Sequence, residues 1–279
     1  MIDVRALAAG LSEHEPGLWV ASGRAGVSYP SAATGECWEV EDESFWFRHR
    51  NHCIVALVKT LAPGGAILDV GGGNGVVADA LSRAGFPTIV VEPSLEGARN
   101  ARRRGLEPVI CATVDSAGIA GGSVSAIGLF DVLEHIENDV AFLRQMGALL
   151  RRDGRLYLTV PAYPLLWSAE DDYAGHHRRY TLGSLRAALR RSGFVVDYAT
   201  YFFTFLPAAI IPFRTLPSLL GIRRHASVSR EHKVGGAAMA ALVERTLSFE
   251  ASAIERGIPL PFGGSCLVAA RTAAVTSAP

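Results

Sequence analysis

The residues of this chain whose types and spacing suit chemistry fall into two sets. The first is Asp69, Gly71, Gly73 and Gly75 in the run AILDVGGGNGVV, with Glu92 and Pro93 following in TIVVEPS. Glycines at alternate positions, behind an acid and between apolar runs, leave backbone N–H groups uncovered by any Cβ, which suits a nucleotide-type ligand. The second set is Asp131, Glu134 and His135 in LFDVLEHIEND, with His176 in AGHHRRYT. The first three stand at i, i+3 and i+4 and would share one face of a helical turn. An imidazole titrates near neutral pH, so His135 or His176 suits general-base work on an acceptor hydroxyl. A purely structural reading stands beside it: Glu134 and His135 brace their loop, and the stretch from His176 to Arg179 is a solvated basic turn.

Positioning these residues takes strands that end where they begin. Residues 66–70 read as a buried strand entering the glycine turn, with a helix after Gly75 that Gly85 and Pro87 stop. Further strands are expected over 88–92, 108–111, 124–130, 155–160 and 194–203. Helices lie between them, over 94–104, 139–150 and 181–191, with a turn at Asp153-Gly154. A further helix over 41–61, capped by Asp42 or Ser44, feeds the first strand; its Phe45, Trp46 and Phe47 suit either core or a pocket wall. Strands alternating with helices predict a doubly wound, mostly parallel sheet covered on both faces. Ligands of such sheets lie beyond the carboxyl ends of the strands, where Asp69, Glu92, Asp115 and Asp131 all fall.

The glycine spacing excludes two ligands. A dinucleotide fingerprint needs glycine where Val76 stands, and a phosphate loop needs a lysine, of which there is none between Lys59 and Lys233. Acid-x-Gly-x-Gly-x-Gly over Asp69, Gly71, Gly73 and Gly75 instead resembles the first motif of class I S-adenosylmethionine-dependent methyltransferases. DVLEH and GHHRRYT resemble one branch of that family over roughly residues 41–201. The resemblance implies a Rossmann-like sheet of seven strands, closed by 265–272, with a helical insertion over 203–264 between strands six and seven. It implies that Gly71 and Gly73 line the methionine moiety, that Pro93 packs on the adenosine and that Asp115 meets the adenine amino group, with Phe130 and Asp131 also at the cofactor. Glu92, acceptor-only when ionised, suits the two ribose hydroxyls. Related O-methyltransferases of the ubiquinone pathway and of RNA 3′ ends use a similar acid-x-x-Glu-His run as metal ligands, so Asp131, Glu134, His135 and His176 are also candidates for a divalent metal.

Charge bounds the partners. Lysine plus arginine and aspartate plus glutamate number 27 each, so no general affinity for DNA is expected. Four scattered cysteines without a CxxC pair, and a start lacking a long apolar core, suit a reducing cytoplasm. Residues 1–40 read as an irregular extension with one short helix, and 41–279 as the methyltransferase domain. In the insertion, the proline-broken apolar stretch over 203–222 suits either a cover for the site or peripheral membrane contact. No amine-acceptor motif of the Asn-Pro-Pro-Tyr type follows the fourth strand, and Tyr163, Trp167, Tyr173 and Tyr180 suit an aromatic-walled pocket. The expected reaction is therefore O-methylation of a small-molecule, sugar or glycan-like acceptor, releasing S-adenosylhomocysteine. The alternatives are a metal-assisted RNA 2′-O-methyltransferase and a cofactor-binding module without transferase activity.

Overall fold

Runs such as ILDV and TIVV have no polar side, so as strands they need cover on both faces. In a computed structural model, which describes residues 3–21, 38, 41, 42, 44–205 and 237–273, every residue of both runs is buried. The described strands are β1 (Leu11–Glu15), β2 (Leu18–Ala21), β3 (Ile67–Val70), β4 (Thr88–Val91), β5 (Val109–Cys111), β6 (Val124–Phe130), β7 (Leu150–Pro161), β8 (Phe194–Phe202) and β9 (Ser265–Thr272). They form one sheet in the order β1-β2-β5-β4-β3-β6-β7-β9-β8. The strands from β2 to β7 pair in parallel, while β9 runs antiparallel between β7 and β8. β4 lies on one side of β3 and β6 on the other, so strand order reverses at β3 and a crevice opens beyond the strand ends there.

The helices are α1 (Val4–Leu7), α2 (Phe45–Thr60), α3 (Val76–Arg83), α4 (Leu95–Arg103), α5 (Val114–Ala117), α6 (Asp139–Leu149), α7 (Ala169–Ala174), α8 (Leu182–Arg191) and α9 (Ala237–Glu255). Side chains alternate across the sheet and divide the core. Leu68, Ile127, Leu129 and Leu158 pack with Leu143 and Met146 of α6 and Leu185 and Leu189 of α8. Ile67, Ala126, Phe130 and Tyr157 pack with Ile54 and Leu57 of α2, Leu81 of α3 and Ile254 of α9. α2 starts where Ser44 Oγ accepts the Trp46 N–H at 3.2 Å.

The doubly wound sheet is as expected, but it carries nine described strands rather than seven. The addition corrects the reading of the N-terminal residues as irregular. β1 and β2 form a hairpin whose second strand pairs with β5, Leu18 opposite Val109, and extends the sheet edge. The signal was weak because LSEHE is mostly exposed and has no apolar alternation, so only the Pro16-Gly17 turn marked it. The expected turn at Asp153-Gly154 sits inside β7, where the pairing with β6 slips and Asp153 takes a φ of 64°. From the insertion, α9 packs against α2. Residues 206–236, which hold most of the 203–222 stretch, lie outside the described residues. Among the described residues no helix is long and apolar enough to cross a membrane.

Candidate active site

The cradle forms where β3 gives out. The Gly71 N–H donates to the Val91 carbonyl at 2.8 Å, and Gly75, at φ 79°, begins α3 with no side-chain cap. A Cβ on Gly75 would stand 2.5 Å from Leu106 Cδ1, and one on Gly71 2.8 Å from Val132 Cγ2, so both are glycines for close packing. Gly73, at φ 53°, is different: a Cβ there would meet nothing within 4 Å. The open part of the turn is therefore at Gly73, and Gly71 abuts the stretch that carries Glu134 and His135.

Glu92 closes one side of this opening. Its Oε2 accepts the Gly73 N–H at 2.8 Å and its Oε1 the Ser94 N–H at 2.7 Å. Burial raises its pKa and these two backbone donors oppose the rise. Each carboxylate oxygen still has acceptor capacity for a ligand hydroxyl. Pro93 follows, half-buried.

Asp69 lies beneath the turn and is fully buried, and its Oδ2 has no hydrogen-bond partner. Burial pushes its pKa up to about 7; Arg50 works against that rise and the Glu92 charge adds to it. An acid whose folded pKa exceeds its unfolded value favours the folded state while protonated. That stability is present in full below about pH 4 and is lost as pH rises through about 7. At about 1.4 kcal/mol per unit, wild-type protein should lose about 4 kcal/mol relative to Asp69→Asn between those limits. Urea denaturation of both proteins across the window checks this; parallel pH profiles would remove Asp69 as the cause.

Asp131 follows β6 directly and takes the left-handed region, φ 57°. Its N–H donates to Thr159, its Oδ1 accepts from Thr159 Oγ1 at 2.9 Å, and its Oδ2 accepts from Arg50 Nη1 at 2.6 Å. The Arg50 guanidinium is buried, lies 4.9 Å from the Trp46 ring centroid and 5.1 Å from that of Phe47, and keeps an unpartnered Nε. Trp46 in turn stacks on Phe203 at 5.6 Å. Nothing local in the sequence marks Arg50 as a residue of the site; α2 brings it to Asp131 from 81 residues away.

The second set forms around a single turn of 3-10 helix, Leu133–His135. Glu134 is 1% exposed, and its Oε2 has no partner. Burial first, and the Asp131 charge second, push its pKa well above the carboxylate range. Burial and then the neighbouring His176 lower His135 to about 4, so its imidazole is neutral at pH 7. The His135 and His176 rings meet edge to face at 4.7 Å, and Glu134, His135 and His176 each bring a ligand atom within 4.8 Å of the others. Asp131 is not in that group, because Arg50 and Thr159 hold it. The expected shared helical face of Asp131, Glu134 and His135 is therefore corrected: the tight turn after a left-handed residue separates the first from the other two.

His176 is not part of a solvated turn. Its Nδ1 lies 2.8 Å from Asp171 Oδ1, which also accepts from Arg179 Nε at 2.8 Å. Arg178 pairs with Asp139 at 3.3 Å, and the His177 N–H donates to the Glu134 carbonyl at 2.8 Å, joining the two stretches. Asp171 was missed because nothing in AEDDYAG separates it from Glu170 and Asp172.

Two expected residues stand apart. Phe130 points its ring into the core between sheet and α2. Asp115 is exposed on α5 and accepts from Gln145 at 2.6 Å. Of the four loop aromatics, Tyr180 is buried against Asp139, Tyr163 stacks on Tyr201 and Trp167 donates to Asp172, so Tyr173 alone is exposed.

Residues 46–199 match the family model described as Methyltransferase domain. The chain is 30% identical over 103 residues to a ubiquinone biosynthesis O-methyltransferase of Xanthomonas campestris pv. campestris, a match covering 35% of this chain and 43% of that protein. A ubiquinone biosynthesis O-methyltransferase of Xanthomonas oryzae pv. oryzae is 29% identical over 102 residues, 34% of this chain and 43% of its own length. The chain thus spans less than half the length of these relatives. Among solved structures, a chain from the Haloferax volcanii complex that contains the Trm112 methyltransferase activator has a TM-score of 0.57 at 15% identity, over 87% of this chain and 95% of that one. Phosphoethanolamine N-methyltransferase 2 of Haemonchus contortus, in complex with S-adenosyl-L-methionine, has a TM-score of 0.55 at 16% identity, over 88% and 58%. The [4+2]-cyclase SpnF has a TM-score of 0.51 at 18% identity, over 90% and 89%. At such identities these structures share the fold.

Proposed function

This chain belongs to the methyltransferase domain family, and from that membership we propose that it transfers a methyl group from S-adenosylmethionine to a hydroxyl oxygen of a small acceptor. The observation that carries the reading is the Glu134–His135–His176 cluster, its carboxylate buried and its two imidazoles partly exposed, set against the glycine cradle through the contact of Gly71 with Val132. The open turn at Gly73 and the spare acceptor capacity of Glu92 fit the nucleoside. Arg50, with a donor left over after Asp131, suits a ligand carboxylate, and the orphaned Asp69 oxygen suits an ammonium. Asp115 has no part in this site.

Bound in the cradle, S-adenosylmethionine supplies a methyl on a cationic sulfur that departs as a neutral thioether. The chain's own work is positioning and proton removal. The cradle fixes the direction of displacement. The His176 imidazole, with His135 beside it, takes the acceptor proton as the O–CH₃ bond forms and the S–CH₃ bond breaks. The electron pair of the broken bond stays on sulfur.

A second reading has its own support: Glu134, His135 and His176 present one oxygen and two nitrogens within 4.8 Å of one another, a donor set suited to a divalent metal. These three residues would hold the ion, which would polarise the acceptor oxygen; Asp131 would not join them. Labelled methyl transfer separates the readings, using metal-stripped protein with catechol or a short RNA as acceptor probe. Label on catechol without added metal, and a loss of about 10²-fold or more in His176→Ala, is the expected result. Transfer only with added magnesium or manganese supports the metal. Label on the RNA 3′ end, or cofactor bound with no transfer to either probe, would replace the small-acceptor reading.

A further inference from the structure

Asp171 belongs to no motif, yet its carboxylate is among the most completely engaged near the site. It is 1% exposed. Its Oδ2 accepts the Ser168 N–H at 2.9 Å, and its Oδ1 takes both His176 Nδ1 and Arg179 Nε at 2.8 Å. The backbone repeats the tie, since the His176 N–H donates to the Asp171 carbonyl at 2.9 Å. α7 thus begins and ends on this one side chain: a capping box with Ser168 at its start, and the imidazole just past Gly175 at its end.

We propose that Asp171 is a positioning residue that fixes His176 as its Nδ1–H tautomer and so leaves Nε2 as the bare, proton-accepting nitrogen. An ionised carboxylate can only accept hydrogen bonds, so a nitrogen 2.8 Å from it must carry the proton. The same carboxylate accepts from the Arg179 guanidinium and from the Ser168 N–H, partners that favour its ionised, acceptor-only form. The second ring nitrogen is left with a lone pair. When Nε2 takes a proton from the acceptor, the adjacent carboxylate stabilises the imidazolium without receiving a proton itself. Arg179 shares Oδ1 and holds the carboxylate against rotation. The inference rests on the reading of His176 as base, and it serves a metal ligand equally, since both need a bare Nε2.

The tautomer can be read directly, with neither acceptor nor turnover. Full-length protein labelled with ¹⁵N-histidine, at pH 8, gives a long-range proton–nitrogen correlation that distinguishes protonated from bare ring nitrogens. Expected for His176 is a protonated Nδ1 and a bare Nε2. In Asp171→Asn the amide can face its N–H₂ toward Nδ1, and the proton moves to Nε2; Asp171→Glu, still acceptor-only, restores the wild-type pattern. A wild-type His176 protonated on Nε2 overturns the proposal whatever the variants do, and so does an Asp171→Asn protein whose His176 pattern is unchanged. The Nδ1–H tautomer found in a protein that methylates no hydroxyl would remove the base role and leave the positioning intact. The converse, hydroxyl methylation with Nε2 protonated, would remove the positioning alone.

Discussion

Glu92→Ala should bind S-adenosylhomocysteine at least about 10²-fold more weakly than wild-type protein. The two spare acceptor sites of the carboxylate are the ones a ribose diol would use, and hydrogen bonds to a charged group contribute about 1.5–3 kcal/mol each. Losing both amounts to about 3 kcal/mol or more, which is about 10² in affinity. The substitution also strips the Gly73 and Ser94 N–H groups of their acceptors, at 2.8 and 2.7 Å, so the open part of the glycine turn loses its brace. Calorimetric titration checks the prediction, with Glu92→Gln as the partner variant: the amide keeps one acceptor oxygen and should fall between the two. An unchanged dissociation constant in Glu92→Ala would mean that the nucleoside lies elsewhere, and the placement of the cradle would fall with it.

The largest expected loss of stability comes from Glu250→Ala, away from the chemistry. Glu250 is fully buried on α9 and accepts from four donors. Its Oε2 takes His49 Nε2 at 2.9 Å and the Phe203 N–H at 2.8 Å; its Oε1 takes the Thr204 N–H at 2.7 Å and Thr204 Oγ1 at 2.5 Å. Those bonds outweigh burial and hold its pKa below the ordinary value. One carboxylate thereby ties α2, α9 and the residues after β8, where Phe203 takes a φ of 57°. Breaking a buried pair by removing one partner costs about 3–5 kcal/mol, because the groups left behind stay buried without partners. In a chain of this size that corresponds to a fall of about 10 °C in Tm. Thermal unfolding of Glu250→Ala and Glu250→Gln measures it, and a Tm within a degree or two of wild type would show that these donors find other acceptors. Cys53, 3.3 Å from His49 Nε2, joins the same network, and with both Glu250 oxygens filled the three side chains form a closed hydrogen-bonded unit.

The site was legible wherever a role depends on neighbours in the chain. Gly71, Gly73 and Gly75 are readable because a strand that must turn at once into a helix needs left-handed backbone, and only glycine supplies it repeatedly without strain. Glu92 is readable because it ends an apolar strand. The resemblance put Phe130 and Asp115 at the cofactor, but their side chains point into the core and toward Gln145. Position along a strand fixes where a Cα lies; which way the side chain turns is settled by what packs around it.

By itself, then, the sequence determined the alternation of strands and helices over residues 41–203 and the acids and glycines that follow the strands, since each depends on hydrophobic period or on turn chemistry within a few residues; the order of the strands in the sheet it left open. Tertiary structure alone decided the partners. Arg50 reaches Asp131 across 81 residues, and His49 reaches Glu250 across 201. His176 could be told from His177 only once one faced Asp171 and the other lay exposed. The N-terminal hairpin shows the same thing in the fold: LSEHE carries no pattern of its own and becomes a strand because β2, once paired with β5, offers it an edge. A charge or a polar strand draws its energy from its partner, and a partner distant in sequence leaves no local mark.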